Sequence, residues 1–336
     1  MGNPWAYDFS AIGNRTQPLV IILGGDGEAA AKGSGFRFAG NSDVYQLIPR
    51  DLPFEQINLG KQFYKQQGRA DLSRFHCVLN LVTDPDVHPR TLERLRKLLR
   101  GYRGRVVNRP EAVLRSTRDQ VARRLSGIEG LRVPKVLRLR HPKPGAAAQA
   151  AERAGLTFPA IAREAGTHTG KIIGLVDGPA QLEAACSAPG EYYVTEFVDF
   201  GSADGIYRKY RLWSFAGRAI LKHVIMSDTW NVHNADRTRV MIHRPDLMDE
   251  ERRLLARPEG DLPGTIHRMF DQVQARMGLE FFGMDFGIDE AGQAILFEAN
   301  PTMSFLMQSP HAEFGYLDRV NPPSQEAFRD MLFPPG

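Results

Sequence analysis

Cysteine is nearly absent: Cys77 and Cys186 are the only two in 336 residues. Two thiols so far apart in sequence make neither a disulfide framework nor a Cys-based metal site, and they suit a reducing cytoplasm. Long apolar runs are missing as well. The run Leu19–Leu23 (LVIIL) is far short of the roughly 20 residues a membrane helix needs, so no membrane partner is expected. The N-terminal stretch MGNPWAYDFSAIGNRT has no basic segment followed by an apolar one, which argues against a secretory signal. Ala6 stands where myristoylation would want Ser or Thr. Charge of one sign is scarce too, with 43 Lys and Arg against 39 Asp and Glu. The arginines still gather at 90–105 and 115–140, yet no helix-turn-helix, zinc-finger or aromatic RNA-binding pattern joins them, so nucleic acid is not an expected partner. A solvated helix face and a cleft that attracts a polyanion both fit these clusters.

What is present describes a globular chain, 42% hydrophobic and 24% charged, long enough for two or three packed subdomains. Leu19–Leu23 reads as a buried parallel strand ending in the turn Gly24-Gly25-Asp26-Gly27. Cys77–Val82 is a second strand, Thr91–Leu99 has the leucine spacing of a helix, and Arg105–Val107 is a third strand. Strand, helix and strand in that order predict a small parallel α/β domain over the first hundred residues. Glu111–Leu125 reads as an Arg-rich helix, and Val133–Leu137 as the start of another sheet. Strands follow at Phe158–Ala162 and Tyr192–Val198. Tyr210–Phe215 with Arg218–Met226, and Phe282–Ile288 with Gln293–Phe297, have the pattern of two hairpins, separated by a helix at Ile266–Met277. Hairpins after an α/β unit predict a mixed sheet, an α+β addition to the α/β start.

The sharpest constellation is Asp285 on one strand, followed by Glu298 and Asn300 in Phe-Glu-Ala-Asn-Pro on the next. Pairing brings Asp285 near Glu298, and period-2 alternation puts Glu298 and Asn300 on one face. Carboxylates amid apolar neighbours need a partner. Mg²⁺ held with nucleotide phosphates is one such partner, and Arg or Lys is the other. A second signal, Ala165-Gly166-Thr167-His168-Thr169-Gly170-Lys171, follows an apolar strand, and its glycines let backbone amides cradle phosphate oxygens. An ordinary turn would look the same. A third, Thr195-Glu196-Phe197-Val198, is a strand edge able to pair with an adenine through its backbone.

In this order the motifs resemble the ATP-grasp superfamily, nearest its glutathione-synthetase and ribosomal-protein-modifying glutamate-ligase branch. The likeness covers about residues 105–310. It implies an N-terminal pre-ATP-grasp domain at 1–107, a small lid subdomain with its leading helix at 108–198, and a C-terminal subdomain at 199–336. It further implies ATP and Mg²⁺, with Asp285, Glu298 and Asn300 holding the metal. Gly166, Thr167, His168, Thr169 and Gly170 would close over the phosphates. Glu196 and Val198 would meet the adenine, with Phe197 beside the ring. Arg211 would face the reacting phosphoryl group, with Lys222 as a second cation and His168 as a loop contact for developing charge. This chain departs from the pattern in three places. Arg163 replaces the lysine before the Gly-rich turn, Gln120 the lysine after Arg118-Asp119, and Tyr210 the acidic residue before Arg211. Arg163 is still a bidentate phosphate binder, whereas Gln120 leaves the charge to Arg115 or Arg118.

The implied activity is ATP-dependent ligation of a carboxylate to an amine through an acyl phosphate. Arginine-rich walls favour an acidic or peptide substrate, and Asn231, His233 and His243 could line the acceptor pocket. A kinase acting on a hydroxyl would need the same nucleotide site, and a nucleotide-sensing module could lack the family lysines. A homodimer is compatible with everything above.

Overall fold

The computed structural model describes residues 17–26, 30–32, 35–37, 39–49, 52–65, 70–166, 172–303, 305 and 311–334. The LVIIL run forms the centre of β1 (Gln17–Gly24), where Leu19 to Ile22 have no exposed surface. After the short hairpin β2 (Ala30–Lys32) and β3 (Gly35–Arg37) come β4 (Phe54–Leu59), β5 (Phe75–Asn80) and β6 (Arg105–Val107). Strands β4-β1-β5-β6 make a parallel sheet in that order, with the helix Pro89–Leu98 between β5 and β6. The expected α/β start is there. The expected helix Glu111–Leu125 is broken into Pro110–Val113 and Arg118–Leu125. Ser116 and Thr117 interrupt it: the Ser116 hydroxyl donates to Val113 O and that of Thr117 to Asp119, local bonds that compete with the helix ladder.

β7 (Leu131–Arg132) is followed by β8 (Val136–Arg140), β9 (Ala160–Glu164), β10 (Gly174–Val176) and β11 (Glu191–Glu196), the last four forming an antiparallel sheet of order β10-β9-β11-β8. β12 (Tyr207–Phe215), β13 (Arg218–Ser227), β14 (Phe281–Ile288) and β15 (Ala294–Asn300) build the large sheet, β13-β12-β14-β15-β7, in which only β7 runs parallel to its neighbour. Both expected hairpins form. Ala216 and Gly217 turn the first, each with positive φ as a tight two-residue turn requires.

Buried side chains fall into two clusters. The smaller lies under the antiparallel sheet and includes Ala147 and Ala151 of the helix Ala146–Arg153. The larger joins the N-terminal sheet to the large sheet. Val121, Leu125, Ile128 and Leu131 belong to the larger one. Residues 110–132, expected to lead the small subdomain, therefore share the core of the big body, because their apolar side chains pack there and β7 extends its sheet. Asn108 stands at the junction with φ +54: its side chain donates to Phe281 O and accepts from Phe281 N, while its own N–H donates to Glu280. Asn80 donates to Asn108 O from the other side. The free edge of β13 is closed by its surroundings. Leu221 N–H donates to Pro258 O, Val224 N–H to Glu251 and Met226 N–H to the Met241 sulfur.

Candidate functional site

A cleft of about 690 Å³, open mouth included, runs between the small sheet and β15. Directly opposed residues of an antiparallel sheet share a face, and on the small sheet this sets two rows. One is Val136–Thr195–Ile161, apolar around a single hydroxyl; the next is Arg138–Tyr193–Arg163. Val133, Pro134, Val136 and Leu296 give the cleft an apolar end, next to Thr195, whose Oγ1 is buried without a hydrogen-bond partner. Arg163, Arg118, Glu298, Asn300 and Gly166 make the other end polar. Flat apolar surface beside a cationic end suits a base joined to phosphates.

The large sheet supplies a second row, His223–Arg211–Asp285–Glu298, one residue from each of four adjacent strands. Arg211 grips Asp285 with two hydrogen bonds of 2.6 and 2.7 Å. Glu298 is paired with Arg118, which also donates to Phe297 O at 2.6 Å. Among the described residues the Nε of Arg163 has no partner, and the repulsion of Arg118, then burial, lowers its pKa to about 10 against the pull of Glu298. Burial also lowers the pKa of Lys209, whose Nζ donates to Val232 O at 2.5 Å. Four cations (Arg118, Arg163, Lys209 and Arg211) thus attend Asp285 and Glu298, while Asp84, Asp86 and Glu164 also line the cleft.

In sequence, no family model and no curated protein matches the chain. Solved structures do match in fold. D-alanine–D-alanine ligase from Bacillus anthracis aligns with a TM-score of 0.53 over 94% of this chain and 96% of its own, at 10% identity. The macrocyclase MdnC from Microcystis aeruginosa, bound with precursor peptide MdnA, gives 0.53 over 95% and 100%, at 13% identity. The RimK domain protein ATP-grasp from Sphaerobacter thermophilus gives 0.51 over 94% and 99%, at 14% identity. The chain has the ATP-grasp fold.

Asp285 and Glu298 oppose each other as the hairpin pattern predicts, and of the three residues Glu298 and Asn300 line the cleft wall. Both carboxylates are held by arginines, the partner that sequence left open beside Mg²⁺, and Asn300 Oδ1 accepts from Thr302 N–H at 2.9 Å. Among the described residues no three His, Cys, Asp or Glu side chains cluster as a self-sufficient metal cage. Two opposed carboxylates and one carboxamide still fit Mg²⁺, which takes one or two carboxylates and completes its shell with phosphate and water oxygens. Of the two substitutes for the cation missing at Gln120, Arg118 lines the cleft and Arg115 is exposed, while Gln120 turns toward Leu114 O.

Glu196, Phe197 and Val198 continue past the cleft wall, with Thr195 the member of that stretch lining it. The N–H groups of Glu196 and Phe197 donate to Lys135 O and Pro159 O. Phe197 packs edge-on against Trp230, 5.3 Å between centroids. Lys222 is the extra residue of a bulge, since His223 pairs with Arg211 and Leu221 with Leu212. Its ammonium lies 4.5 Å over Phe305, and burial together with Arg237 lowers its pKa to about 8. Gly166 lines the cleft at φ +73, but Thr167, His168, Thr169 and Gly170 lie outside the described residues. Sequence reasoning missed Lys209 and the N-terminal turn Asp84-Pro85-Asp86, which also lines the cleft. The alternation of Lys209 with Arg211 on β12 could have found the first; the second is a tertiary contact with no local signal.

Proposed function

We propose that the chain is an ATP-dependent carboxylate–amine ligase working through an acyl phosphate. The observation that carries this reading is the cleft itself, in which Arg163 of the small-sheet wall and Arg118 of the helix Arg118–Leu125 meet Glu298, the end of the Arg211–Asp285–Glu298 row. The adenine takes the apolar end, against Val136 and Leu296 and beside the backbone of Glu196 to Val198. Arg163 and Arg118 hold phosphates. Asp285, Glu298 and Asn300 hold Mg²⁺, which when bound neutralises charge on the transferring phosphoryl group. Arg211, fixed by Asp285, is the cation assigned to that group, so stabilisation would be preorganised.

The chemistry then needs no protein nucleophile. A substrate carboxylate oxygen attacks the γ-phosphorus, the bond to the β–γ bridging oxygen breaks, and ADP leaves. The amine nitrogen attacks the acyl carbon, phosphate departs with the carbon–oxygen electron pair, and the nitrogen gives up its proton. Positioning and charge stabilisation are the protein's share. The substrates belong to the amino-acid or peptide class: two of the fold relatives above are, by name, a D-alanine–D-alanine ligase and a macrocyclase bound with a precursor peptide. The test is a screen of amino acids and peptides for ADP and phosphate release, with mass spectrometry of the product. Phosphate should appear in step with ADP, and the product should contain no phosphorus. A stable phosphorylated product would make the enzyme a kinase.

A further inference from the structure

Asp86 belongs to the N-terminal domain, yet its carboxylate is embedded in the small sheet. Arg138 of β8 donates to it at 2.8 Å, and the Tyr193 hydroxyl of β11 donates to both its oxygens at 2.9 and 3.1 Å. Arg138 is in turn gripped by Glu191 through two bonds, of 2.9 and 2.6 Å. The turn carrying Asp86 is itself held rigid, because Asp84 accepts from the N–H groups of Asp86 and Val87. One residue further on, a methyl of Val87 lies 3.0 Å from where a Cβ on Gly166 would sit, so the turn abuts the base of the Gly-rich segment. Tyr193 stands between Arg138 and Arg163 in the same row, and Asp86, Tyr193 and Arg163 all line the cleft.

We propose that Asp86 is a positioning residue of the nucleotide site: with Arg138 and Tyr193 it latches the small sheet against the N-terminal domain, so nucleotide enters and leaves by release of this latch. The inference rests on the cleft being a nucleotide site. Two features favour a latch over a permanent weld. The small sheet has a core of its own, separate from the one shared by the other two sheets. Burial raises the Asp86 pKa in spite of Arg138 and Tyr193, so holding the ionised carboxylate there carries a desolvation cost. Arg138 is committed to Asp86 and Glu191, whereas the Nε of Arg163 in the same row has no partner among the described residues.

The experiment compares wild-type protein with Asp86→Asn and Tyr193→Phe, the second removing a single hydroxyl in case the first does not fold. Hydrogen exchange of the nucleotide-free protein should quicken in β8, β9 and β11 and stay unchanged in β1, β5 and β14. Stopped-flow with a fluorescent ATP analogue and Mg²⁺ should show association and dissociation both about tenfold faster, the scale of one lost charged hydrogen bond. The exposed pair Arg218–Glu326 supplies the control, Glu326→Gln, expected to change neither readout. If both variants fall only in melting temperature, with lid exchange and analogue kinetics within twofold of wild type, Asp86 is structural and the proposal is overturned. If wild-type protein binds no analogue, the nucleotide reading fails instead, a result kept apart because lid exchange is measured without nucleotide.

Discussion

Glu298 meets Arg118 on one side and Asp285 across the ladder on the other, so its charge serves two purposes that one substitution separates. Glu298→Gln keeps the shape and a hydrogen-bond acceptor for Arg118 but removes the anion that would hold Mg²⁺. Turnover should fall on the order of 10²–10³-fold while the fold survives, whereas Glu290→Gln at the exposed hairpin turn should change little. Near-normal turnover of a folded Glu298→Gln at limiting Mg²⁺ would falsify the metal role and leave an ion pair. Lys222 offers a pH test. Its pKa of about 8 lies below the ordinary 10.5, so below pH 8 the folded chain carries a disfavoured ammonium, and between 8 and 10.5 the unfolded chain binds the extra proton. Stability attributable to Lys222 therefore rises with pH across that window. Urea denaturation should show Lys222→Met more stable than wild type at pH 7, with the difference shrinking toward pH 10.5.

At the level of elements, β14 is closely packed at its glycines. A Cβ on Gly287 would lie 2.7 Å from Phe200 Cδ2 and 2.8 Å from Phe297 Cζ, against rings rather than flexible chain ends. Gly287→Ala should cost about 1–3 kcal/mol, read as a lower denaturation midpoint at unchanged slope. Elements of this kind were the legible ones. LVIIL could only be a buried strand, and the two hairpins announced themselves by alternation and by Ala216-Gly217. β4 went unseen because Glu55, Gln56 and Asn58 give an edge strand no apolar signature. The break at Ser116 and Thr117 went unseen because side-chain bonds decide it. In the site, the Asp285 and Glu298 juxtaposition followed from register, but their arginine partners did not. Arg118 lies 180 residues from Glu298, and only tertiary folding joins them.

The molecule as a whole is two cores, and MgATP is expected to bridge them. At a hundredfold excess over its dissociation constant it should stabilise the fold by roughly 2.7 kcal/mol, visible as a raised melting temperature, and calorimetry without any binding heat would remove the nucleotide assignment. Asn108 ties the N-terminal and large sheets through the bonds of its side chain to the Phe281 backbone. Asn108→Ala should cost about 1–3 kcal/mol for each buried partner left unsatisfied, and both sheets should still melt in one transition because they share a core. The closed edge of β13 has a further consequence, for self-association. A strand whose outward N–H groups already donate to Glu251, Met241 and Pro258 offers no template to a second copy. At the far end of that sheet, β7 pairs through only two residues. Extension of the large sheet by a second copy is therefore blocked at Leu221, Val224 and Met226 of β13, whose N–H groups are already taken.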